Sequence, residues 1–307
     1  MVLKRPWLTL VLLGLILFFS ACLARRRLIT RAGGNTAQTL RTADIPELLE
    51  IIKNQYDAVN DFTATVDMVP GLGTAEKNQI TEYKDVLGYI LFRKPADIRI
   101  IGLYPVVRNT AFDMVSDGLS FRLYLPTKNQ FIVGFNVMNQ TSAVKLENLR
   151  PQHFLDALLV EPVDTKTSKV MLENFTDEDN AVYSLHIVHE GPDGALQAVR
   201  NIWFSRIDLR LARQIIYDPD GNMLTDARYT DWHVYDGVPF PKHIEINRPR
   251  DEYVVVLDAV KVDINKGVAS DKFVLEQPEG TTLRTLGENP PPPPPVAVQT
   301  KGKNRKK

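Results

Sequence analysis

The chain has 307 residues, 44% hydrophobic and 24% charged, a composition that argues against a disordered chain, a collagen-like fibre and a polytopic membrane protein. The net charge of zero conceals an asymmetry. Residues 1–40 contain six basic and no acidic residues, residues 288–307 contain five basic and one acidic, and the middle has 26 basic against 36 acidic. Because an acidic body repels phosphates, no nucleic-acid partner is expected. The single cysteine, Cys22, excludes an intrachain disulfide and a cysteine-based zinc site.

Residues 1–21 have the form of a bacterial lipoprotein signal peptide. Two basic residues precede an apolar run at 7–19, which is shorter than the roughly 20 residues of a spanning helix. Small Ser20 and Ala21 follow, as a signal peptidase requires. The segment resembles a lipobox with Cys22 as the first mature residue, and this resemblance implies that the cysteine thiol carries a diacylglycerol and the freed amine a further acyl chain.

The alternative is an uncleaved signal anchor from Leu8 to Leu23, in which Cys22 is only a small apolar residue. Phe19 stands where a lipobox usually has leucine. The basic cluster at 25–27 argues against the anchor, because positive charges oppose translocation. Several acyl chains, at about 0.8 kcal/mol per buried methylene, would hold the protein firmly on a membrane. Since no aspartate follows the cysteine, the resemblance implies a lipid-anchored, periplasm-facing protein of the outer membrane.

One folded domain, at 42–280, is predicted between two unfolded segments. Residues 22–41 are basic and lack a hydrophobic period, which predicts a tether between the lipid anchor and the domain. Residues 281–307 form a Pro-rich basic tail, with six consecutive prolines at 290–295. The tail is predicted either to bind an acidic surface or to be a solvated disordered segment.

The domain is predicted to begin with a helix. Asp44 is placed to cap it, Glu47 completes a capping box and Pro46 lies in the first turn. Its apolar stripe consists of Leu48, Ile52, Tyr56 and Val59. From Phe62 to Met68 the apolar period changes from 3.6 to two, which predicts a strand with one buried face. A second helix is predicted from Pro151. Further strands are predicted at 86–92, 98–103, 110–115, 119–125, 130–135, 168–174, 181–189, 195–207, 211–217, 223–231, 242–248 and 252–263.

So many consecutive strands with short connections predict an antiparallel meander, and two helices cannot cover both faces of a flat sheet of that size. The sheet must therefore curl. The predicted fold is mainly β, an unclosed antiparallel β-barrel, or half-barrel, with a helical lid over an apolar cavity.

No catalytic or metal-binding residues are predicted. The five histidines have no metal-ligand spacing and are interpreted as surface residues or as residues with satisfied hydrogen bonds: His153, His186, His189, His233 and His243. Residues 218–222 superficially match a calcium loop, but Tyr229 occupies the position of the bidentate glutamate, so a hairpin turn is predicted. We expect no enzyme activity and no cofactor.

Apolar residues occur where a polar turn would be usual, between the strands that end near 103 and begin near 110. This segment is predicted to insert into a membrane, with packing under a helix as the alternative. It comprises Leu103, Tyr104, Pro105, Val106 and Val107. Other large apolar residues are predicted to line an acyl-chain cavity, with ordinary core packing as the alternative. They are Phe62, Val66, Met68, Phe112, Met114, Phe121, Leu123, Phe131, Phe154, Leu158 and Trp203.

The order of these parts resembles the LolA/LolB superfamily. The resemblance covers about 42–265 and rests on five segments: Asp61 to Ala64, Gly88 to Ile100 with its Arg-Lys-Pro turn, Asp117 to Tyr124, the Arg150-Pro151 helix, and Pro239 to Ile246. It implies an unclosed barrel whose hydrophobic interior takes up acyl chains of lipoproteins. An acylated chain is more similar to the LolB-like receptors than to the soluble carriers. The apolar segment from Leu103 would then assist membrane insertion, although it lacks a single prominent leucine and the Pro-rich tail has no counterpart.

The resemblance implies transfer of lipoprotein or lipid acyl chains at the outer membrane, by a monomer that receives them from a periplasmic LolA-like carrier. Two alternatives stay open. One is a structural or scaffolding envelope lipoprotein with a packed barrel that works through its Pro-rich basic tail. The other is a regulator that senses lipids with the same cavity.

Overall fold

The computed structural model describes residues 39–74, 79–82, 84–136, 148–177, 179–191 and 193–287. The predictions for the signal peptide, Cys22 and the proline run lie outside these residues. Within these described residues the α-helices are α1 (Ile45–Asp57) and α2 (Pro151–Leu158). The strands before α2 are β1 (Asp61–Thr74), β2 (Gln79–Glu82), β3 (Val86–Arg93), β4 (Asp97–Leu103), β5 (Thr110–Ser116), β6 (Ser120–Leu125) and β7 (Gln130–Phe135).

The strands after α2 belong to the same sheet. They are β8 (Lys169–Thr176), β9 (Ala181–Glu190), β10 (Leu196–Ser205), β11 (Leu211–Tyr217), β12 (Met223–Tyr235), β13 (Val238–Arg248), β14 (Tyr253–Ile264) and β15 (Thr282–Leu286). The strand order is 15-7-6-5-4-3-1-14-13-12-11-10-9-8, with β2 paired to the end of β1. All pairs are antiparallel except β15 with β7. The predicted open half-barrel is confirmed.

Local sequence explains the elements that begin the domain. The Asp44 carboxylate accepts a hydrogen bond from the Glu47 amide at 2.9 Å, as predicted for the α1 cap. Residues of β3, β4 and β6 alternate between buried and half-buried, as expected for strands with one face on a core. The turn between β12 and β13 has positive φ at Asp236 and Gly237, a backbone conformation that matches the twist of a two-residue hairpin.

The larger apolar core lies on the face of the sheet that the helices cover, called here the inner face. Helix α2 lies against β4 and β5 on one side and against β12 and β13 on the other, so it bridges the two halves of the half-barrel. Helix α1 lies near β8, with Leu48 and Ile52 fully buried. The Lys94 ammonium joins α1 to the turn after β3, because it donates to the Tyr56 carbonyl and lies 4.0 Å from the Tyr56 ring centroid.

The strand ends form two rims. The first, rim A, carries β2 and the connections β4–β5, β6–β7, β9–β10, β11–β12 and β13–β14. The opposite rim, rim B, carries β3–β4, β5–β6, β8–β9, β10–β11 and β12–β13. The predicted hairpin turn at 218–222 lies on rim A, where the Asp218 carboxylate accepts from the backbone amides of Asp220 and Asn222.

After β14 the chain crosses the outer face of the sheet as a strap, residues 265–281, and ends in β15. Phe273 and Leu275 of the strap pack on Val115, Phe131 and Val133 in a second apolar cluster. The predicted domain end at 280 is therefore too early, because strand β15 at 282–286 pairs with β7.

Candidate functional site

The inner face is the candidate site, because the sheet gathers most of the predicted lining residues there. Strand pairing places Phe62, Met114 and Leu123 on this one face, and each is fully buried. The Phe112 ring covers Gly102 of β4, where an added Cβ would lie 2.3 Å from the ring. The nine predicted lining residues in or packed against the inner core are Phe62, Val66, Met68, Phe112, Met114, Phe121, Leu123, Phe154 and Leu158.

Two predicted lining residues lie on the outer face instead. Phe131 is paired with Tyr124 and packs in the outer cluster under the strap. Trp203 is paired with Arg213, whose guanidinium lies 4.9 Å from the indole ring centroid on the outer side of β10. The prediction is wrong for both, because side chains alternate between the faces along a strand and apolar character alone does not identify the face.

The apolar segment after β4 is exposed on rim A. Val106 is 91% exposed, Val107 63% and Tyr104 39%, which rules out the alternative of packing under a helix. The Arg108 amide donates to the Tyr104 carbonyl at 3.0 Å, and the Tyr104 amide donates to the Asn109 carbonyl at the same distance, so the loop is closed by its own backbone. Exposed apolar side chains on a hydrogen-bonded loop are suited to contact with another apolar surface.

Helix α2 is held on the inner face by polar as well as apolar contacts. Its apolar side buries Phe154, Leu155 and Leu158. Its backbone carbonyls accept from the sheet: the Tyr229 hydroxyl donates to Ala157 at 2.8 Å and the Gln214 amide to Asp156 at 2.9 Å. These bonds satisfy carbonyls near the C-terminal end of the helix.

A row of inner-face residues along rim A is polar. It runs across β10, β12, β13 and β14 as Arg200, Thr225, Arg248 and Tyr253, with Ile216 of β11 between the first two, and is called here the polar row. Arg248 pairs with Asp251 at 2.7 Å and donates to the Thr225 hydroxyl at 2.6 Å. Deeper inner-face positions on the same strands are mainly apolar: Ile202, Ala227, Ile246 and Val255.

His153 of α2 lies over the polar row. Its Nδ1 is 2.8 Å from the Tyr253 hydroxyl and its Nε2 is 2.9 Å from the Arg248 guanidinium. Burial, with the charges of Arg248 and Arg150, lowers the pKa of His153 well below its usual value. Burial likewise raises the pKa of Tyr253. A neutral imidazole at this position can accept from Arg248 while it donates to Tyr253.

The pKa of Asp156, which lies one turn after His153 on α2, is raised instead of lowered. Burial raises the pKa of its carboxyl to about 6, although the Gln152 amide donates to it and Arg248 and Arg200 attract its charge. The nearby Glu161 carboxylate adds to the increase. The carboxylate therefore destabilises the folded state at neutral pH.

We predict that Asp156→Asn raises the free energy of unfolding at pH 7.5, by no more than about 3 kcal/mol. Between pH 4 and 6 the folded protein holds the Asp156 proton more tightly than the unfolded chain, so this residue's contribution to stability falls as pH rises through that window. His153 acts in the opposite direction, since it must stay neutral in the folded state. The measurement is urea unfolding of the parent protein and of Asp156→Asn at pH 4.5 and 7.5, because the difference between the two proteins reports on Asp156 alone. If the difference in unfolding free energy is the same at both pH values, the prediction is wrong.

The other histidines have local partners. His186 bonds Glu173, His189 bonds Ser168, His233 bonds Asp231 and His243 bonds Asp258. Within the described ranges there is no group of three or more His, Cys, Asp or Glu side chains placed to hold a metal ion. His153 fits the second part of the interpretation, because 13% of its side chain is exposed and both of its ring nitrogens are hydrogen-bonded.

Sequence reasoning missed the polar row. Its members lie on four different strands, and His153, which covers them, precedes Arg248 by 95 residues, so no spacing along the chain connects these residues. The feature of the sequence that could have indicated the polar row is Arg248, an arginine at a position where the alternation along β13 places a buried side chain. Among the described helices, none combines the length and apolar character needed to cross a membrane.

No family model and no curated protein matches the sequence. Among solved structures, a DUF1329 family protein from Desulfovibrio piger matches with a TM-score of 0.50 and 15% identity, over 76% of this chain and 98% of that one. A LolA superfamily protein from Nitrosomonas europaea has a TM-score of 0.47 and 14% identity, over 74% of this chain and 97% of that one. A Vibrio parahaemolyticus protein described as an outer membrane lipoprotein-sorting protein domain has a TM-score of 0.48 and 12% identity, over 74% and 94%.

At these identities the likeness concerns the fold and not the activity. This chain shares the fold of the DUF1329 family structure over 76% of its length.

Proposed function

We propose that this protein is a non-enzymatic, lipid-anchored envelope protein that binds acyl chains of lipoproteins or lipids on the inner face and assists their transfer at the outer membrane. The observation that carries the proposal is the inner face itself. It is a continuous apolar surface whose cover includes an eight-residue helix, held partly by polar contacts. Displacement of α2 would expose apolar surface to an acyl chain without unfolding the sheet.

The loop on rim A supports a membrane partner. Its exposed apolar residues, Tyr104, Val106 and Val107, would contact the bilayer while Cys22 anchors the mature N-terminus there. Sorting proteins are named among the matching structures, and this agrees with an outer membrane site and a periplasmic LolA-like carrier as donor. The protein would work as a monomer, without a cofactor, because transfer between two apolar surfaces requires no bond to be made or broken.

The acyl-binding prediction can be tested at two consecutive residues of β5. Met114 is fully buried on the inner face and Val115 is 2% exposed on the outer face. A photoreactive benzophenone amino acid replaces either residue in the full chain, and cells are irradiated. We expect lipids or acylated peptides cross-linked at position 114 and not at 115, identified by mass spectrometry. Equal yields at both positions, or none at 114, would overturn acyl binding.

The loop is tested by a charge substitution. Val106→Asp is expected to slow acyl transfer from vesicles to the full-length protein by about tenfold. The reason is that a valine side chain contributes about 1.5 kcal/mol when it is buried in the bilayer. Leu119→Asp is the matched control, since Leu119 is 76% exposed in the β5–β6 connection on rim B. A transfer rate lowered equally by both substitutions would contradict a specific membrane contact at the loop.

A second candidate is the scaffolding lipoprotein that works through its Pro-rich basic tail. It is favoured by the burial of the inner face, where large side chains such as Phe62, Phe92 and Ile100 have no exposed surface. A fully packed core is compatible with a rigid platform, and it is equally compatible with an acyl carrier whose inner face is covered by α2. The cross-linking experiment separates the two functions, because a platform gives no acyl adduct at position 114.

A further inference from the structure

The polar row contains a half-buried cation, Arg200, that forms no ion pair with a carboxylate among the described residues, although Asp156 and Glu161 attract it from a greater distance. The Arg200 guanidinium donates to the Glu161 carbonyl at 2.9 Å and approaches the Gln214 amide oxygen at 3.5 Å. By contrast, Arg99, Arg213 and Arg248 each pair with an aspartate. Burial lowers the pKa of Arg200, as expected for a guanidinium that has lost solvent without full compensation. Both contacts use Nη1, so the Nε and Nη2 donors of this cation have capacity for an anion.

An unpartnered acceptor belongs to the same hydrogen-bond network. Gln214 donates to the Asp156 carbonyl, and Gln152 donates to the Asp156 carboxylate at 2.8 Å. The Gln152 side-chain oxygen is buried and has no hydrogen-bond partner in the part of the chain that the structure describes. The carboxyl groups near this network are Asp156, which Gln152 engages, and the exposed Glu161. A ligand with both a negative charge and a hydroxyl donor would satisfy Arg200 and Gln152 together.

The position of the polar row gives this ligand an orientation. The row follows rim A, while the rest of the inner face on these strands is mainly apolar. The exposed apolar loop with Val106 lies on the same rim. An amphiphile that enters from a membrane at rim A can place its chains on the apolar surface and leave its head group on the polar row. Its charge then never crosses the apolar interior, where burial would be costly.

We propose that the polar row is a head-group site for a phosphate-bearing lipid with a hydroxylated head, such as a phosphoglycerol lipid, and that Arg200 contacts the phosphate. This inference rests on the proposed function and names its ligand class. Arg200 is a binding residue in this scheme, and Gln152 accepts from a head-group hydroxyl. Arg248 is already satisfied by Asp251 and Thr225, and it shapes the row without contacting the ligand.

The test uses the full-length protein with the benzophenone side chain at position 114. It is mixed with vesicles of phosphatidylglycerol or of phosphatidylcholine with identical acyl chains, and lipid adducts are quantified after irradiation. We expect adduct yields from subsaturating phosphatidylglycerol to exceed those from phosphatidylcholine by about tenfold, the effect of one charge-assisted hydrogen bond. Arg200→Gln is expected to bring the ratio close to one, whereas Arg200→Lys keeps most of the preference.

Arg228→Gln is the matched control, because it removes one positive charge from an exposed side chain on the outer face of β12 while Arg213 still holds Asp226. It should leave the lipid preference unchanged. Inorganic phosphate is added in a separate arm to distinguish a lipid head from the free ion. If phosphate competes at millimolar concentration, the row is a free-anion site and the head-group assignment is wrong.

The two proposals fail in different ways. Equal adduct yields from both lipids, or a preference that survives Arg200→Gln, overturn the head-group site while acyl binding stands. Absence of any lipid adduct at position 114 overturns acyl binding itself. If Arg200→Gln does not fold, the lipid preference of the parent protein and of Arg200→Lys still decides the question.

Discussion

Replacing Arg248 with methionine is expected to lower the free energy of unfolding by about 3–5 kcal/mol, the usual cost when one member of a buried ion pair is removed. The Arg248 and Asp251 side chains are 9% and 10% exposed, so the aspartate would be left desolvated without its cation. Thr225 and His153 lose a donor in the same step. Methionine has a similar volume, and a cavity therefore contributes little.

The measurement is urea unfolding followed by circular dichroism, with Arg228→Met as the control. The Arg228 side chain is 52% exposed, and its partner Asp226 is also held bidentately by Arg213, so a change below about 1 kcal/mol is expected there. Hydrogen exchange provides a second readout, because His153 links Arg248 to α2. Amides of α2 should lose protection in Arg248→Met before those of β1 do. Equal losses of stability in the two variants would show that the polar row does not secure the helix.

The sequence was sufficient to predict the half-barrel because its evidence is local. Alternation in β1, the turn residues at 236–237 and the capped α1 each reflect interactions between neighbours along the chain. A sheet built from such strands has one apolar face, and the number of strands forces it to curl. The apolar part of the candidate site follows directly, as the placement of Met114 and Leu123 on the inner face demonstrates.

The polar row and the outer cluster could not be predicted in this way because they depend on long-range contacts. Phe131, Ile132 and Val133 are consecutive and all buried, which indicates that both faces of β7 are covered. The sequence next to β7 does not indicate which residues cover the outer face of that strand. The strap that does so begins at residue 265, more than 100 residues later, and this separation is why the apolar character of Phe131 does not identify the face on which it lies.

The strap also gives the second large expected effect on stability. Phe273→Ala is expected to lower the free energy of unfolding by about 3–4 kcal/mol, within the usual range for a buried phenylalanine. Phe273 is 9% exposed in the outer cluster, and the Arg93 guanidinium lies 5.1 Å from its ring centroid. Arg93 also donates to Ser270 of the strap at 2.6 Å and pairs with Asp97. Loss of the ring therefore weakens both the apolar and the cationic contacts of the strap.

Val274→Ala is the matched control, since the next residue is 48% exposed and its truncation should cost less than about 0.5 kcal/mol. In Phe273→Ala, amide exchange in β15 should become faster than in β14, because among the described strands β15 is the edge strand and pairs with β7 alone. Acyl cross-linking at position 114 should persist in this variant, since the strap lies on the opposite face of the sheet from the candidate site. Loss of both stability and cross-linking would instead show that the strap sets the curvature on which the inner face depends.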